Sequence, residues 1–124
     1  MAQSILFLHG GNEFHSDSMD FDNFFVETVS EQRIGIFPGA SVNERDRIAT
    51  VAFASGYFSM YGIELVEVAP NDFDQVDVLI LPGGSPVKLL AELSGYREKV
   101  FALYERGAIY GASAGAMVLG RGFS

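Results

Sequence analysis

Short apolar runs recur along this chain. Most are followed by a glycine-containing turn and then by a segment whose apolar positions fall at helical spacing. Ile5-Leu6-Phe7-Leu8 stops at His9-Gly10-Gly11, and Arg33-Ile34-Gly35-Ile36-Phe37 stops at Pro38-Gly39. Val76 to Leu81 stops at Pro82-Gly83-Gly84-Ser85, and Ala108-Ile109-Tyr110 runs into Gly111. Continuous apolar runs of this length, bounded by turn residues, predict strands buried on both faces. Glu64-Leu65-Val66-Glu67-Val68 alternates polar and apolar instead, which predicts a strand nearer a sheet edge.

The intervening segments read as helices. Ser18 or Asp20 can cap a helix carrying Phe21, Phe24, Phe25 and Val29 on one side, after a polar loop from Asn12 to Asp20. Asn43 to Tyr61 places Ile48, Val51, Ala52, Ser55 and Phe58 at helical spacing, with Gly62 as the C-cap. Pro86 suits the first turn of a helix running toward Leu93, and Gly95 breaks it. Arg97 to Arg106 forms another, with Val100, Phe101, Leu103 and Tyr104 apolar. Alternating strands and helices predict an α/β fold: a parallel sheet with helices on both faces. The loops at the carboxyl ends of such strands form the binding crevice, so His9, Gly39, Gly83-Gly84 and Ser113 are expected along one rim.

Composition narrows the classes. The 124 residues fit one domain, 1–124, and 48% hydrophobic content is globular rather than disordered. A net charge of −8 argues against a nucleic-acid partner. No cysteine is present, so disulfides, thiolate metal sites and a cysteine nucleophile are excluded within the chain. Met1-Ala2-Gln3-Ser4 has no basic region, and Ile5 to Leu8 is too short for a signal peptide or membrane span. The expectation is a cytoplasmic enzyme or binding domain, with no cofactor, metal or membrane partner.

The chemistry concentrates at Gly111-Ala112-Ser113-Ala114-Gly115. Gly-x-Ser-x-Gly between a strand and a helix is a nucleophile elbow, a sharp reversal that presents the serine hydroxyl. Gly111 and Gly115 let strand and helix approach closely, and the following helix directs free N–H groups at whatever sits over Ser113. A small-residue turn with Ser113 as an ordinary N-cap fits the same five residues.

Three stretches in order carry a resemblance: Arg33 to Ser41, Leu79 to Ser85, and Gly111 to Ala116. The chain resembles the type 1 glutamine amidotransferase-like superfamily, and within it the peptidase S51 family of peptidase E and cyanophycinase. That resemblance implies a flavodoxin-like, class I glutamine amidotransferase-like sheet with the elbow at the last strand. It implies a serine exo- or dipeptidase acting by acyl transfer on a small peptide substrate. Matched position by position, Ser113 is the nucleophile, the Ala114 N–H is one oxyanion donor, and the N–H of Gly84, or alternatively Gly83, is the other. Ser85 departs from the asparagine often found after the paired glycines.

In the family the histidine and an acidic residue lie beyond the elbow helix. Between Ser113 and Ser124 only Arg121 is charged, so the domain is expected to be C-terminally incomplete, completed by a complementing C-terminal segment or another copy. His9 and His15 are the only histidines, and His9, at a strand end on the expected rim, is the nearer candidate base. Two other readings stay open: a non-catalytic amidotransferase-like domain binding a ligand or partner, and an α/β-hydrolase esterase fragment using Leu8-His9-Gly10-Gly11 as its oxyanion loop. Strand order favours the peptidase-like reading over the esterase. Asp17, Asp20 and Asp22 lack the spacing of a calcium loop and read as a solvated helix start. The paired glycines fit neither a P-loop nor a dinucleotide fingerprint.

Overall fold

The computed structural model describes residues 5–9, 19–29 and 32–112. Its strands are β1 (Ile5–His9), β2 (Ile34–Ile36), β3 (Val66–Glu67), β4 (Val78–Leu81) and β5 (Ala108–Ala112). Its helices are α1 (Met19–Val29), α2 (Glu44–Ser59), α3 (Pro86–Leu93) and α4 (Arg97–Arg106). The strands form one sheet in the order β1-β5-β4-β2-β3, and every pairing is parallel.

Every residue of β4 and β5 is buried, so alternate side chains feed two separate cores. On one face Ile34, Ile36, Val78, Ile80 and Tyr110 meet Phe25 and Val29 of α1 and Ala54, Tyr57 and Phe58 of α2. Phe25 packs edge-on against Tyr110 with ring centroids 4.7 Å apart. On the other face Leu79, Leu81 and Ile109 meet Leu89 and Leu93 of α3 and Val100 and Leu103 of α4. Helices therefore cover both faces, as the alternating pattern predicts.

The ends of α2 follow from local chemistry. Asn43 is the N-cap, its Oδ1 accepting the Asp46 N–H at 2.9 Å. At the other end Met60 is the cap, and Gly62, expected there, lies two residues further on at φ 77°. Gly62 donates to Ser59 O at 3.0 Å and Ile63 to Phe58 O at 3.1 Å, the paired bonds of a Schellman closure. A positive φ at that position favours glycine.

Three expectations change. The buried face of α2 is Ala54, Tyr57 and Phe58, whereas Ile48 is 55% exposed and Ala52 is also exposed. Apolar residues surround this helix, so spacing alone could not select the core side. Phe24 on α1 and Phe101 on α4 are likewise exposed rather than buried. Asp22, expected at a solvated helix start, is fully buried. The stretch Pro70–Gln75 is a 3₁₀ helix whose Phe73 enters the second core. The alternating segment at 64–68 does form the edge, but only Val66–Glu67 pair. Short edge strands limit unwanted pairing. Among the described residues no helix is long and apolar enough to cross a membrane.

The amino-terminal rim is tied by charge. Arg33 Nη2 donates to Asp77 Oδ1 at 3.1 Å and its Nε to Oδ2 at 3.2 Å. Arg106 donates to the carbonyls of Val76 at 2.7 Å and Phe73 at 2.9 Å, and lies 3.4 Å from Asp77 Oδ1. The hydrogen bond from Arg33 holds the Asp77 carboxyl below its usual range, opposed by partial burial. A depressed folded pKa contributes stability above the unfolded value near ~4, and that stability disappears as pH falls through the folded value. Asp77→Asn is therefore expected to lower the urea midpoint at pH 7, with the gap to wild type closing below about pH 4. Urea denaturation at both pH values checks it.

Candidate functional site

Register brings the carboxyl ends of the strands to one rim. His9 pairs with Ala112, Leu81 with Gly111, Ile80 with Ile36, and Ile36 with Glu67. The Pro82-Gly83-Gly84 turn leaves β4 directly beside the end of β5, and Gly39 follows β2 on the same edge. Ser113 and Ala114 lie outside the described residues, as do Gly10, Gly11, His15 and the helix expected from Ala114 to Gly120. The strand that leads to Ser113, β5, is placed as expected, ending at Ala112.

The glycine turn has the backbone the sequence calls for. Gly84 is exposed and sits at φ 144°, a conformation that side chains rarely adopt. A Cβ there would stand 2.4 Å from Ala40 O. Ser85 N–H donates to that same carbonyl at 2.7 Å, so the turn leans on the loop after β2. Ser85 also caps α3, its Oγ accepting the Lys88 N–H at 3.2 Å. Among the described residues, neither Gly83 nor Gly84 donates its N–H to a hydrogen bond.

Next to the turn lies an open cleft of about 520 Å³, within the ordinary range for small-molecule sites. Its position follows from topology. The chain leaves β2 toward α2 on one face and leaves β4 toward α3 on the other. Adjacent parallel strands with diverging exits open a crevice at their carboxyl ends. The cleft is lined by Phe37, Gly39 and Ser41 after β2, Arg47 of α2, Val68 after β3 and Lys88 of α3. Phe37 forms part of this wall and packs edge-on against Phe73, centroids 5.6 Å apart.

Charge in the cleft is mostly paired. Arg47 bonds to both Glu44 and Glu67, which raises its pKa and holds Glu44 below its usual range. Lys88 Nζ lies 3.6 Å from Glu92. No cluster of three or more metal-ligating side chains occurs among the described residues.

One buried polar cluster escaped the sequence reading. Asp22 accepts hydrogen bonds from Tyr57 of α2 and Tyr110 of β5, each at 2.6 Å. Tyr110 stands three residues before Ser113, so this carboxylate ties the elbow strand to both helices of its face. The signal was present in the spacing: Asp22, Phe25 and Val29 share one helical face.

Comparison with known proteins places this geometry. A peptidase from an acI-B1 Actinobacterium superposes with a TM-score of 0.74 at 21% identity, over 92% of this chain and 55% of that one. A structure assigned as peptidase E of Listeria monocytogenes EGD-e gives a TM-score of 0.69 at 18% identity, over 95% of this chain and 62% of that one. The fold is that of peptidase E-like structures. No family model matches the chain. Among curated proteins it is similar to the pyridoxal 5'-phosphate synthase subunit PdxT of Francisella tularensis subsp. novicida (strain U112), 31% identical over 85 residues. PdxT of Francisella tularensis subsp. tularensis (strain WY96-3418) is 29% identical over the same length. The chain spans about half the length of these curated relatives, 48%.

Two substitutions test the frame of the site. Gly84→Ala is expected to destabilise by about 1–3 kcal/mol through the strained φ alone, with more from the Ala40 contact. Asp22→Ala removes the carboxylate that accepts from the Tyr57 and Tyr110 hydroxyls and is expected to destabilise by about 1–3 kcal/mol. Urea denaturation of each variant against wild type reads both.

Proposed function

We propose that the chain carries the nucleophile-bearing part of a serine peptidase of the peptidase E and cyanophycinase kind, hydrolysing a small peptide by acyl transfer through Ser113. The observation that supports this most is the Gly83-Gly84 turn. It lies beside the end of the strand leading to Ser113, in the register Leu81 to Gly111, with its N–H groups unbonded among the described residues. In this reading Ser113 Oγ attacks the substrate carbonyl. The N–H groups of Ala114 and Gly84, with Gly83 as the alternative to the latter, receive the oxyanion. A donor of this type contributes roughly 2.7–4 kcal/mol to lowering the barrier. The general base comes from a segment or chain that complements this one. His9, opposite Ala112 in register, is the alternative within the chain. We assign the activity to the cytoplasm and leave metal and cofactor out of the mechanism.

A second reading rests on the similarity to PdxT, named as a synthase subunit. By it, the chain is an amidotransferase-like domain that binds a ligand or partner at the same rim. Amidotransferases of this superfamily use a cysteine at the elbow. This chain contains none, which favours the serine peptidase.

The test uses the longest form of the protein that its gene encodes. Wild type is expected to hydrolyse dipeptides and to react with a fluorophosphonate probe. Ser113→Ala is expected to lose both, turnover falling by roughly 10⁴-fold or more with the fold intact by circular dichroism. His9→Ala is expected to retain turnover. Labelling and hydrolysis unchanged in Ser113→Ala would remove the proposal in favour of the binding domain.

A further inference from the structure

Between Leu81, the buried last residue of β4, and Pro86, the first of α3, the chain passes through Pro82, Gly83, Gly84 and Ser85. Two adjacent glycines have the widest choice of backbone conformation, so the aim of their N–H groups depends on what anchors the turn at each end. At one end the anchor is β4, in register with β5. At the other it is Ser85.

Three bonds hold Ser85. Its N–H donates to Ala40 O at 2.7 Å, its carbonyl accepts the Leu89 N–H at 3.0 Å, and its Oγ accepts the Lys88 N–H at 3.2 Å. Ala40 is 1% exposed and packed in the second core, so the loop that receives the N–H is itself held. The first two bonds are main-chain and survive a change of side chain. The third belongs to the hydroxyl alone. Without it the Lys88 N–H loses its acceptor in a partly buried place, and the first turn of α3 frays with Ser85 at its end.

An oxyanion donor contributes most when it is already aimed, because it then costs no reorganisation as charge develops. The Gly84 N–H is the donor most open to misalignment. Gly84 is exposed, sits at φ 144° and stands one residue before the cap. We propose that Ser85 is a positioning residue for the oxyanion hole: by capping α3 through Oγ it fixes the Gly83-Gly84 turn, and with it the aim of the Gly84 N–H. The inference rests on the acyl-transfer reading and adds to it a residue that acts through its neighbour rather than on substrate.

The test measures dipeptide hydrolysis by the longest form of the protein, at a temperature where circular dichroism shows every variant folded. Ser85→Ala is expected to lower kcat by roughly tenfold to a hundredfold with KM nearly unchanged, the pattern of a loss felt in the transition state alone. Ser85→Asn, a cap of equal rank without a hydroxyl, is expected to bring kcat back to within about threefold of wild type. An unchanged kcat in Ser85→Ala while Ser113→Ala is inactive would overturn the positioning role alone, whatever the fall in melting temperature. A raised KM at constant kcat would overturn it in favour of direct substrate contact, as would a loss that Ser85→Thr restores and Ser85→Asn does not. Turnover absent from wild type, or surviving Ser113→Ala, would overturn the acyl-transfer reading and this inference with it.

Discussion

Burial of β4 and β5 on both faces is the constraint from which the remaining architecture follows. A strand with no solvent face must send alternate side chains into two cores, and each core needs helices of its own. Parallel pairing then requires every connection to cross the sheet, which gathers all carboxyl ends at one rim. Val78 and Ile80 face α1 and α2, while Leu79 and Leu81 face α3 and α4. The exits of β2 and β4 diverge because of that division, and the cleft is its geometric remainder. At the edge the constraint lapses: β3 is two residues long and its Val66 is 56% exposed.

The two rims of the sheet treat polar groups differently. At the amino end Arg33, Asp77 and Arg106 close a network that also takes up the carbonyls of Val76 and Phe73. At the carboxyl end the Gly83 and Gly84 N–H groups and the Ser41 hydroxyl stay unbonded among the described residues. Gly84 also holds a φ that costs most residues energy. Strain and unmet hydrogen-bonding capacity gathered on the rim where topology opens a crevice are what a binding site requires, and stability is supplied from the opposite end.

Much of this was legible in the chain because apolar runs bounded by glycine constrain strands tightly. The runs at 5–8, 33–37, 76–81 and 108–110 all became parallel strands, and the edge was recognisable from alternation at 64–68. The Gly83-Gly84 turn was legible because few backbones other than glycine fit there. What escaped depended on contacts distant in sequence. The core side of α2 is chosen by Phe25 and Tyr110, which no spacing within residues 44–59 reveals. Asp22 looked solvated because a carboxylate in a helix's first turn usually is, and its two tyrosine donors lie 35 and 88 residues away. The cleft exists only once the loops after β2 and β3 meet α2 and α3, segments far apart in the chain.

Those distant contacts also join the cleft to the elbow strand. Helix α2 presents Glu44 and Arg47 to the cleft at its start, and Tyr57 near its end donates to Asp22. Asp22 holds Tyr110, three residues before Ser113. A second link runs along the rim, where Ala40 O binds the Ser85 N–H and abuts Gly84.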